Sequence, residues 1–369
     1  MAKLCLNMIV RNDAATLRRS LESTAGAIDA WVIADAGSTD GSAEIVREVF
    51  AARGVPGQLV EVPFQSFAQA RNAALDACRR SHLAFDFILL GDAEMDLRVT
   101  DRNFRDGLSR DSHSVLHQVG ASFHNRRILR RDAGGAFRGV THEYLDMAGP
   151  APLLEGLVIR QFAGSSRSGP ARAELDARLL TEGLKVEQDP LMRARYTFYL
   201  GNACRALGDK IAARRHYLDR ARLGFWEEEI YCARLYAARL GEQLGLPIAD
   251  VLAEFAALNN EMTHRAEAMH AVARICRMNG WWEQAYATAL AATEIEKPRD
   301  ALFLEDWIYD YGVIDELAIA AFRTGRFAES LQLSQVLLVG GLLPASQIKR
   351  VTQNAELAAD ALDGVVTHA

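Results

Sequence analysis

The chain has 369 residues, of which 50% are hydrophobic and 24% are charged, and its formal net charge is −6 with a pI near 5.9. This length predicts two domains, each large enough to bury its own core. The acidic balance excludes a general electrostatic attraction to nucleic acid or to an anionic membrane, so we expect no nucleic-acid partner.

The cysteines and the apolar stretches indicate the compartment. The five cysteines are odd in number, widely spaced and free of any C-x-x-C pair, so neither a disulfide framework nor a zinc site is indicated. No charged and apolar leader precedes the first predicted strand, and no apolar stretch reaches the roughly 18 residues that span a bilayer. We expect a cytoplasmic protein with reduced thiols and no transmembrane segment.

Short apolar runs alternate with amphipathic segments in the first part of the chain, up to about Gly164. The runs predict strands and the segments between them predict helices. We expect strands at Leu4–Val10, Ala30–Ala34, Gln58–Val62 and Phe85–Leu90, and helices at Thr16–Ser23, Ser42–Ala52 and Phe67–Arg80. This order predicts an α/β domain with a mostly parallel sheet over residues 1–165.

Strand-like runs end at a small and polar stretch, Ala163–Glu174, and the rest of the chain to Ala361 has helical periodicity. Helices separated by glycine turns recur there, with the turn glycines 37, 35 and 45 residues apart; these are Gly208, Gly245, Gly280 and Gly325. Tetratricopeptide repeats have a period of about 34 residues, although generic helical hairpins share the pattern. We predict an all-α, tetratricopeptide-like helical repeat domain over residues 174–369.

Polar residues follow three of the predicted strands, at the edge where an α/β sheet binds its ligands. They are Asn12 and Asp13 after the first strand, Asp35 at the end of the second, and Asp92, Glu94 and Asp96 after the fourth. The alternative is that such residues shape turns and cap helices, as Asp commonly does. For Asp40 we favour a cap of the following helix, and for Asp13 a cap and a binding role are equally supported.

The polar segments occur in a recognisable order: N-D, D-x-G-S-T-D-G, A-R-N and D-A-E. This order resembles family-2 glycosyltransferases of the A-type nucleotide-sugar-binding fold. The later segment "RRILRRDAGGAFRGVTHEYL" is similar to the arginine-rich hairpin and G-x-x-H-E segment of members with C-terminal tetratricopeptide repeats, and "LFLEDWIYDYGVIDELAIAAFRTGRFAES" looks like their helical tail. The resemblance covers nearly the whole chain.

The resemblance implies a nucleoside-diphosphate sugar donor, with a UDP-sugar expected first. Asp35 can accept a hydrogen bond from the ring N–H of uracil, thymine or guanine. Arg71 would reach the nucleotide, where a guanidinium pairs with phosphate or stacks on a base. Asn12 would lie near the base, and Asp92 would lie near the phosphates.

The resemblance also implies a divalent metal, Mn²⁺ or Mg²⁺. Asp92 and Glu94 fall on the D-x-D position, where carboxylate oxygens hold an ion that bridges the two phosphates of the donor. Glu94 stands where a second aspartate is usual, and its longer arm would hold the metal more loosely or through water. His142 is a third candidate ligand, which could instead orient a phosphate. Acids clustered at a strand end, without the ordered set of motifs described above, would be interpreted as part of a solvated loop.

Glu143 is the candidate general base for a transfer that inverts the anomeric centre. Four arginines precede it, and because side chains alternate along a hairpin, about half of them should face outward. We assign none of the four individually: Arg126, Arg127, Arg130 and Arg131.

The acceptor is left open by the sequence; a glycan, a lipid-linked acceptor or a peptide all fit, and the helical repeats could form a homodimer. An alternative function is an interaction scaffold whose transferase half is degenerate. The intact Asp35, Arg71 and Asp92 and the intact pair His142–Glu143 argue against such decay. A nucleotidyltransferase would need a glycine-rich phosphate loop near the first strand, and "MIVRNDAATL" has no glycine.

Overall fold

The structure, a computed structural model, describes residues 1–119, 121–161, 169–299 and 301–367. Contacts divide the chain into two compact units, Met1–Gln188 and Asp189–Ala369. The first residues of the predicted linker, and the predicted domain end at residue 165, lie outside the described residues. The helix Pro170–Val186 belongs to the first unit, although the sequence assigned its residues from 174 onward to the helical domain.

Among the described residues, eight strands form one mixed sheet in the order β3-β2-β1-β4-β7-β6-β10-β5, and β8 pairs with β9 in a small second sheet. The strands are β1 (Leu4–Val10), β2 (Ala30–Asp35), β3 (Gly57–Glu61), β4 (Phe87–Leu90), β5 (Met95–Val99), β6 (Ser112–Val119), β7 (Ala121–Arg130), β8 (Ala136–Arg138), β9 (Tyr144–Asp146) and β10 (Leu153–Gln161).

The sheet is parallel only in part. The pairs β1–β2, β1–β4 and β2–β3 are parallel, as predicted. Beyond β4 the sheet changes character, because β7 is antiparallel to both of its neighbours and β5 is antiparallel to β10. The prediction of a mostly parallel sheet therefore holds for the first four strands.

Helices cover both faces of these four strands, which explains why β1, β2 and β4 are buried at every residue. The helices of the first unit are α1 (Ala14–Ala25), α2 (Ser42–Arg53), α3 (Phe67–Arg80) and α4 (Pro170–Val186). On one face, Leu6 clusters with Leu17 of α1 and Phe50 of α2. On the other, Val32 clusters with Leu75 of α3.

The strand order reverses at β1, since β2 and β3 lie on one side of it and β4 lies on the other. The carboxyl ends of these parallel strands meet at one edge, where Asp35 ends β2 and Gly91 follows β4. Such a reversal leaves a crevice outside the strand ends, which is the usual ligand site of an open α/β sheet. The fold thus places the polar segments that follow β1, β2 and β4 at the edge where open α/β sheets usually bind ligands.

The second unit is helical throughout its described residues. Its helices are α5 (Pro190–Ala206), α6 (Lys210–Ala221), α7 (Glu227–Gln243), α8 (Ile248–Glu261), α9 (Glu267–Met278), α10 (Trp282–Ala292), α11 (Val313–Arg323), α12 (Phe327–Val339) and α13 (Ala345–Thr367). The four turn glycines lie between α5 and α6, α7 and α8, α9 and α10, and α11 and α12, as predicted. At Gly201 a Cβ would lie 2.7 Å from the Tyr217 ring, so α5 and α6 approach closely.

The assignment of these helix pairs to tetratricopeptide repeats stays a prediction. A π-helical segment, Ile308–Gly312, leads directly into α11 and interrupts the regular alternation. Within the described part of the chain, no helix combines the length and the apolar composition that crossing a bilayer requires.

Candidate active site

Arg71 of α3 joins two acidic residues that are distant in sequence. Its Nη2 lies 2.5 Å from Oδ1 of Asp92, and its Nε lies 2.5 Å from Oε1 of Glu143. Burial alone would lower the pKa of Arg71, but the two carboxylates raise it above its ordinary value, so the guanidinium stays charged. The structure thus brings three of the predicted site residues together at the edge of the sheet.

Arg127 of β7 is a second guanidinium at the same carboxylate. Its Nη1 lies 2.8 Å from Oδ2 of Asp92, so each oxygen of Asp92 faces one arginine. The Nε of Arg127 donates to Nε2 of His117 at 3.2 Å. Burial and the neighbouring Arg127 lower the pKa of His117 to about 4, so near pH 7 the ring is neutral and can accept this bond. His117 thereby orients Arg127 toward Asp92.

The other three arginines of the hairpin bind elsewhere. Arg126 donates to the carbonyls of Met147 and Gly149. Arg130 pairs with Asp111. Arg131 binds backbone carbonyls at and after the end of α3, including that of Arg79. Of the four arginines that the sequence left unassigned, Arg127 is the one that contacts the acidic loop.

The segment before Glu143 is fixed to the start of α3. Ser66 caps α3 by accepting a hydrogen bond from the backbone of Gln69 at 3.2 Å, as the preference of Ser for this position predicts. Asn72 then binds both the backbone N–H and the carbonyl of Phe137, at 2.7 and 2.9 Å. These bonds hold the segment that carries Glu143 against the helix that carries Arg71.

Gly139 allows this segment to turn sharply. Its φ is +109°, and a Cβ there would lie 3.2 Å from the carbonyl oxygen of Thr141 and 3.3 Å from Cα of Glu143. Any other residue would therefore push against the backbone of the candidate base. Because φ is positive, a side chain would also be strained.

His142 and Glu143 point their side chains to different partners. His142 adopts a φ of +50°, which is uncommon for a residue other than glycine. Its Nε2 lies 3.5 Å from Oδ2 of Asp176 in α4, while Glu143 faces Arg71. The structure therefore places His142 on an acid of α4 and Glu143 in the arginine cluster.

Asp35 and Asn12 organise the loop after β2. Oδ1 of Asp35 accepts a hydrogen bond from the backbone N–H of Ser38 at 2.8 Å. Asn12, with a φ of +55°, accepts one from the backbone N–H of Thr39 at 2.8 Å. The alternative role that the sequence left open for Asp35 is to shape the turn. This role uses one oxygen of the Asp35 carboxylate. The second oxygen of the carboxylate is the one that a base N–H would require.

The sequence left a helix cap and a binding role open for Asp13, and in the structure Asp40 supplies the cap of α1 instead. Asp13 stands at the N-cap position of α1, but its side chain makes no capping bond there and accepts the N–H of Arg11 at 2.9 Å. Asp40 accepts the N–H of Ala14 at 2.9 Å and that of Ser42 at 3.1 Å. One carboxylate therefore serves the first residues of both α1 and α2, a role that sequence spacing alone does not reveal.

The predicted metal ligands are not gathered around one point. Both oxygens of Asp92 face guanidinium groups, Glu94 is only 2% exposed, and His142 lies against Asp176. Among the described residues, no group of three or more His, Cys, Asp or Glu side chains is arranged to hold a metal ion. Mg²⁺ often uses one or two carboxylates together with substrate phosphates. Asp92 fits that use if the metal ion replaces one of the two arginines that now face its carboxylate.

The acidic loop is more buried than expected. Asp96 is buried, as Glu94 is, with an exposed fraction of 6%, and a guanidinium nitrogen of Arg98 lies 2.7 Å from its carboxylate. Asp146, the exposed last residue of β9, pairs with Arg138. Asp92 and Glu143 are thus the acids that share the arginine cluster, which carries two positive and two negative charges. A diphosphate can bind there only by taking N–H donors from the carboxylates or by bringing a cation with it.

Sequence reasoning gave no individual role to several residues in and around this cluster. His117 and Arg127 come from strands β6 and β7, which the apolar-run pattern did not predict. Asn72 belongs to the quoted A-R-N segment but received no role. Asp176 had one signal, since it lies four residues after Arg172 on a helix, the spacing of an intrahelical ion pair.

Comparisons with protein-family models and with curated proteins find no match. Among solved structures, the chain is similar to S. aureus TarS 1–349, with 11% identity and a TM-score of 0.33 over 82% of this chain and 97% of that one. The same protein in complex with UDP has 12% identity and a TM-score of 0.32, and the match covers 88% of this chain and 92% of that one. "MamA RS-1 ArsTM double mutant" has 14% identity and a TM-score of 0.33, and the match covers 45% of this chain and 86% of that one. Similarity at such TM-scores does not establish a shared fold, so no role is transferred from these proteins.

Proposed function

We propose that the protein is a glycosyltransferase that moves a sugar from a nucleoside-diphosphate sugar, with a UDP-sugar as the first candidate. The acceptor class is a glycan, a lipid-linked acceptor or a peptide. The observation that supports this most is the bridge from Arg71 to Asp92 and Glu143 beside the crevice between β1 and β4. In this bridge Arg71 would bind phosphate and Glu143 would act as the base. Sugar transfer needs both of these functions.

The donor's base would be read by Asp35. A carboxylate accepts the ring N–H of uracil and discriminates against bases that lack this donor. Asn12 holds the loop in place through Thr39. The diphosphate would be bound by Arg71 and Arg127, whose planar donors suit phosphate oxygens.

A divalent metal remains part of this proposal, with Asp92 as the residue that would hold it. Bound there, the ion would neutralise charge on the departing diphosphate. Glu94 would support the loop from its buried position, and His142 would act through Asp176. These two residues are proposed as supports of the site, and their predicted role as metal ligands is not carried further.

Glu143 would accept the proton of the acceptor while the acceptor oxygen attacks the anomeric carbon. The bond from that carbon to the diphosphate breaks on the opposite face, so the product has inverted configuration. When a diphosphate draws Arg71 away, Glu143 loses its ion-pair partner, and its carboxylate oxygen becomes available to the proton of the acceptor. Donor binding and base activation would thus be linked through Arg71.

The helical unit is not proposed as an open peptide-binding scaffold. The segment Leu302–Glu305 packs against α5 and α7 of the same unit. The backbone N–H of Leu302 donates to Glu228 at 3.0 Å. Phe303 stacks on Phe198, and Glu305 pairs with Arg239. Part of the surface of α5 and α7 is therefore occupied by the chain itself. Self-association through this unit remains a proposal that its oligomeric state in solution would test.

Screening purified protein against nucleoside diphosphates and nucleotide sugars, by thermal shift and donor hydrolysis, tests this function. A ligand that binds only the folded state adds about 2.7 kcal/mol of stability at a hundred times its Kd. We expect stabilisation by a uridine or guanosine diphosphate and hydrolysis of one matching sugar nucleotide. Neither effect with any nucleotide would contradict the proposal.

A further inference from the structure

A buried carboxylate of α4 holds the residues just before Glu143. Asp176 accepts a hydrogen bond from Oγ1 of Thr141 at 2.6 Å, and its other oxygen lies 3.5 Å from Nε2 of His142. Arg172 donates to both oxygens, at 2.9 and 3.0 Å. Burial would raise the pKa of Asp176, but hydrogen bonds from His142, Arg172 and Thr141 hold it below its usual value. The group is therefore a charged acceptor with several donors.

The same contacts reach the helix that carries Arg71. Arg172 also donates to Oγ1 of Thr141 at 3.0 Å, and its guanidinium lies 4.2 Å over the ring of Phe67, the first residue of α3. The backbone N–H of Phe67 donates to the carbonyl of Val140 at 3.0 Å. Residues 140–142 are thus held between the start of α3 and the buried face of α4.

The position of Glu143 depends on this hold because it is the next residue along the chain. His142, with its left-handed backbone, directs its ring to Asp176, and Glu143 then faces Arg71. If residues 141 and 142 shift, Glu143 must shift with them. A displacement of about 1 Å at a reacting group can cost about a hundredfold in rate.

We propose that Asp176 is a positioning residue for the transfer reaction: by binding Thr141 and His142 it sets the place of Glu143 against Arg71. The inference rests on the proposed function of Glu143 as the base. It makes α4 part of the catalytic unit. A competing interpretation is that Asp176 and Arg172 form an ordinary ion pair that only attaches α4 to the domain.

The test compares Asp176→Asn with Glu182→Gln, a variant of an exposed acid on the same helix that pairs with Lys185. Each is made alone and together with Glu143→Gln. Hydrogen–deuterium exchange of peptides covering residues 139–143, UDP affinity, and kcat and KM for donor turnover are measured. Thr141→Val removes the 2.6 Å bond from the loop side and carries the test if Asp176→Asn does not fold.

Asp176→Asn should speed exchange in the loop and lower kcat by about tenfold to a hundredfold, with UDP affinity and KM unchanged. It should cause no further loss in the Glu143→Gln background, because both changes act on the same step. Exchange and kcat equal to those of Glu182→Gln, or a fully additive loss in that background, would overturn the inference. Failure of the proposed base is seen separately, as normal turnover in Glu143→Gln alone.

Discussion

Nε of Arg71 lies 2.5 Å from Oε1 of Glu143, although the two residues are 72 positions apart in the chain. The pair connects α3 to the segment before β9 and leaves the candidate base neutralised by a cation. The same guanidinium also binds Asp92. An anion that competes for Arg71 therefore removes an ion-pair partner from Asp92 and from Glu143 at the same time.

Asp35 is expected to contribute to nucleotide affinity through charge. Asp35→Asn keeps a side-chain oxygen for the backbone N–H of Ser38 but removes the negative charge, whereas Asp35→Ala removes both. A hydrogen bond to a charged group contributes about 1.5–3 kcal/mol, so both variants should bind UDP more weakly by about tenfold or more in calorimetry. If Asn matches the parent and only Ala is impaired, Asp35 shapes the turn and does not read the base.

Arg127 is expected to bind the diphosphate and not the nucleoside. Arg127→Gln should therefore weaken UDP binding while leaving uridine binding unchanged, because only the phosphates lose a charged donor. Arg130→Gln, three residues later on the same strand and paired with Asp111, is the matched control and should bind both ligands normally. An equal loss for UDP and uridine would indicate a distorted site and would remove Arg127 from the phosphate contacts.

The acids of the loop after β4 should respond differently to substitution. Asp92→Asn should abolish any increase in UDP affinity that Mn²⁺ or Mg²⁺ produces over a chelator control. Glu94→Gln, at a residue only 2% exposed, should instead lower the free energy of unfolding by about 1–3 kcal/mol, as expected when a buried charged group loses its partners. Calorimetry with and without metal, and chemical denaturation, separate the two. A metal response that survives in Asp92→Asn would exclude this residue as the ligand.

Much of the first unit could be predicted from local pattern. Strand β1 matches the expected Leu4–Val10 at both ends, because a continuous apolar run bounded by polar residues has a single interpretation when both faces of the sheet are buried. The later strands carry polar residues such as His113 and His117, so their runs are broken in the sequence although both residues are buried in the fold. A search for runs of apolar residues therefore does not find these strands, because tertiary packing buries polar residues in them.

The placement of the candidate site residues was predictable where a residue lies at a strand end, and not where it depends on the register between strands. Arg126 and Arg127 are adjacent and chemically identical, and only the pairing of β7 decides which one reaches Asp92; a register shift between His113 and Ser114 of β6 affects that pairing. Asp176 lies 34 residues beyond His142, and nothing local relates them. Such contacts follow from the arrangement of whole elements in space.

The most direct test of the account is the turnover and the product of Glu143→Gln with a hydroxyl acceptor. The substitution keeps the shape of the side chain but removes its basicity, so UDP affinity should persist while kcat falls by the roughly 10²–10⁴-fold typical of a lost general base. The parent enzyme's product, analysed by NMR, should have the anomeric configuration opposite to that of the donor. Asp146→Asn, at the exposed acid three residues further on, should transfer sugar normally. Near-normal turnover in Glu143→Gln, or a product that retains the donor configuration, would contradict the account.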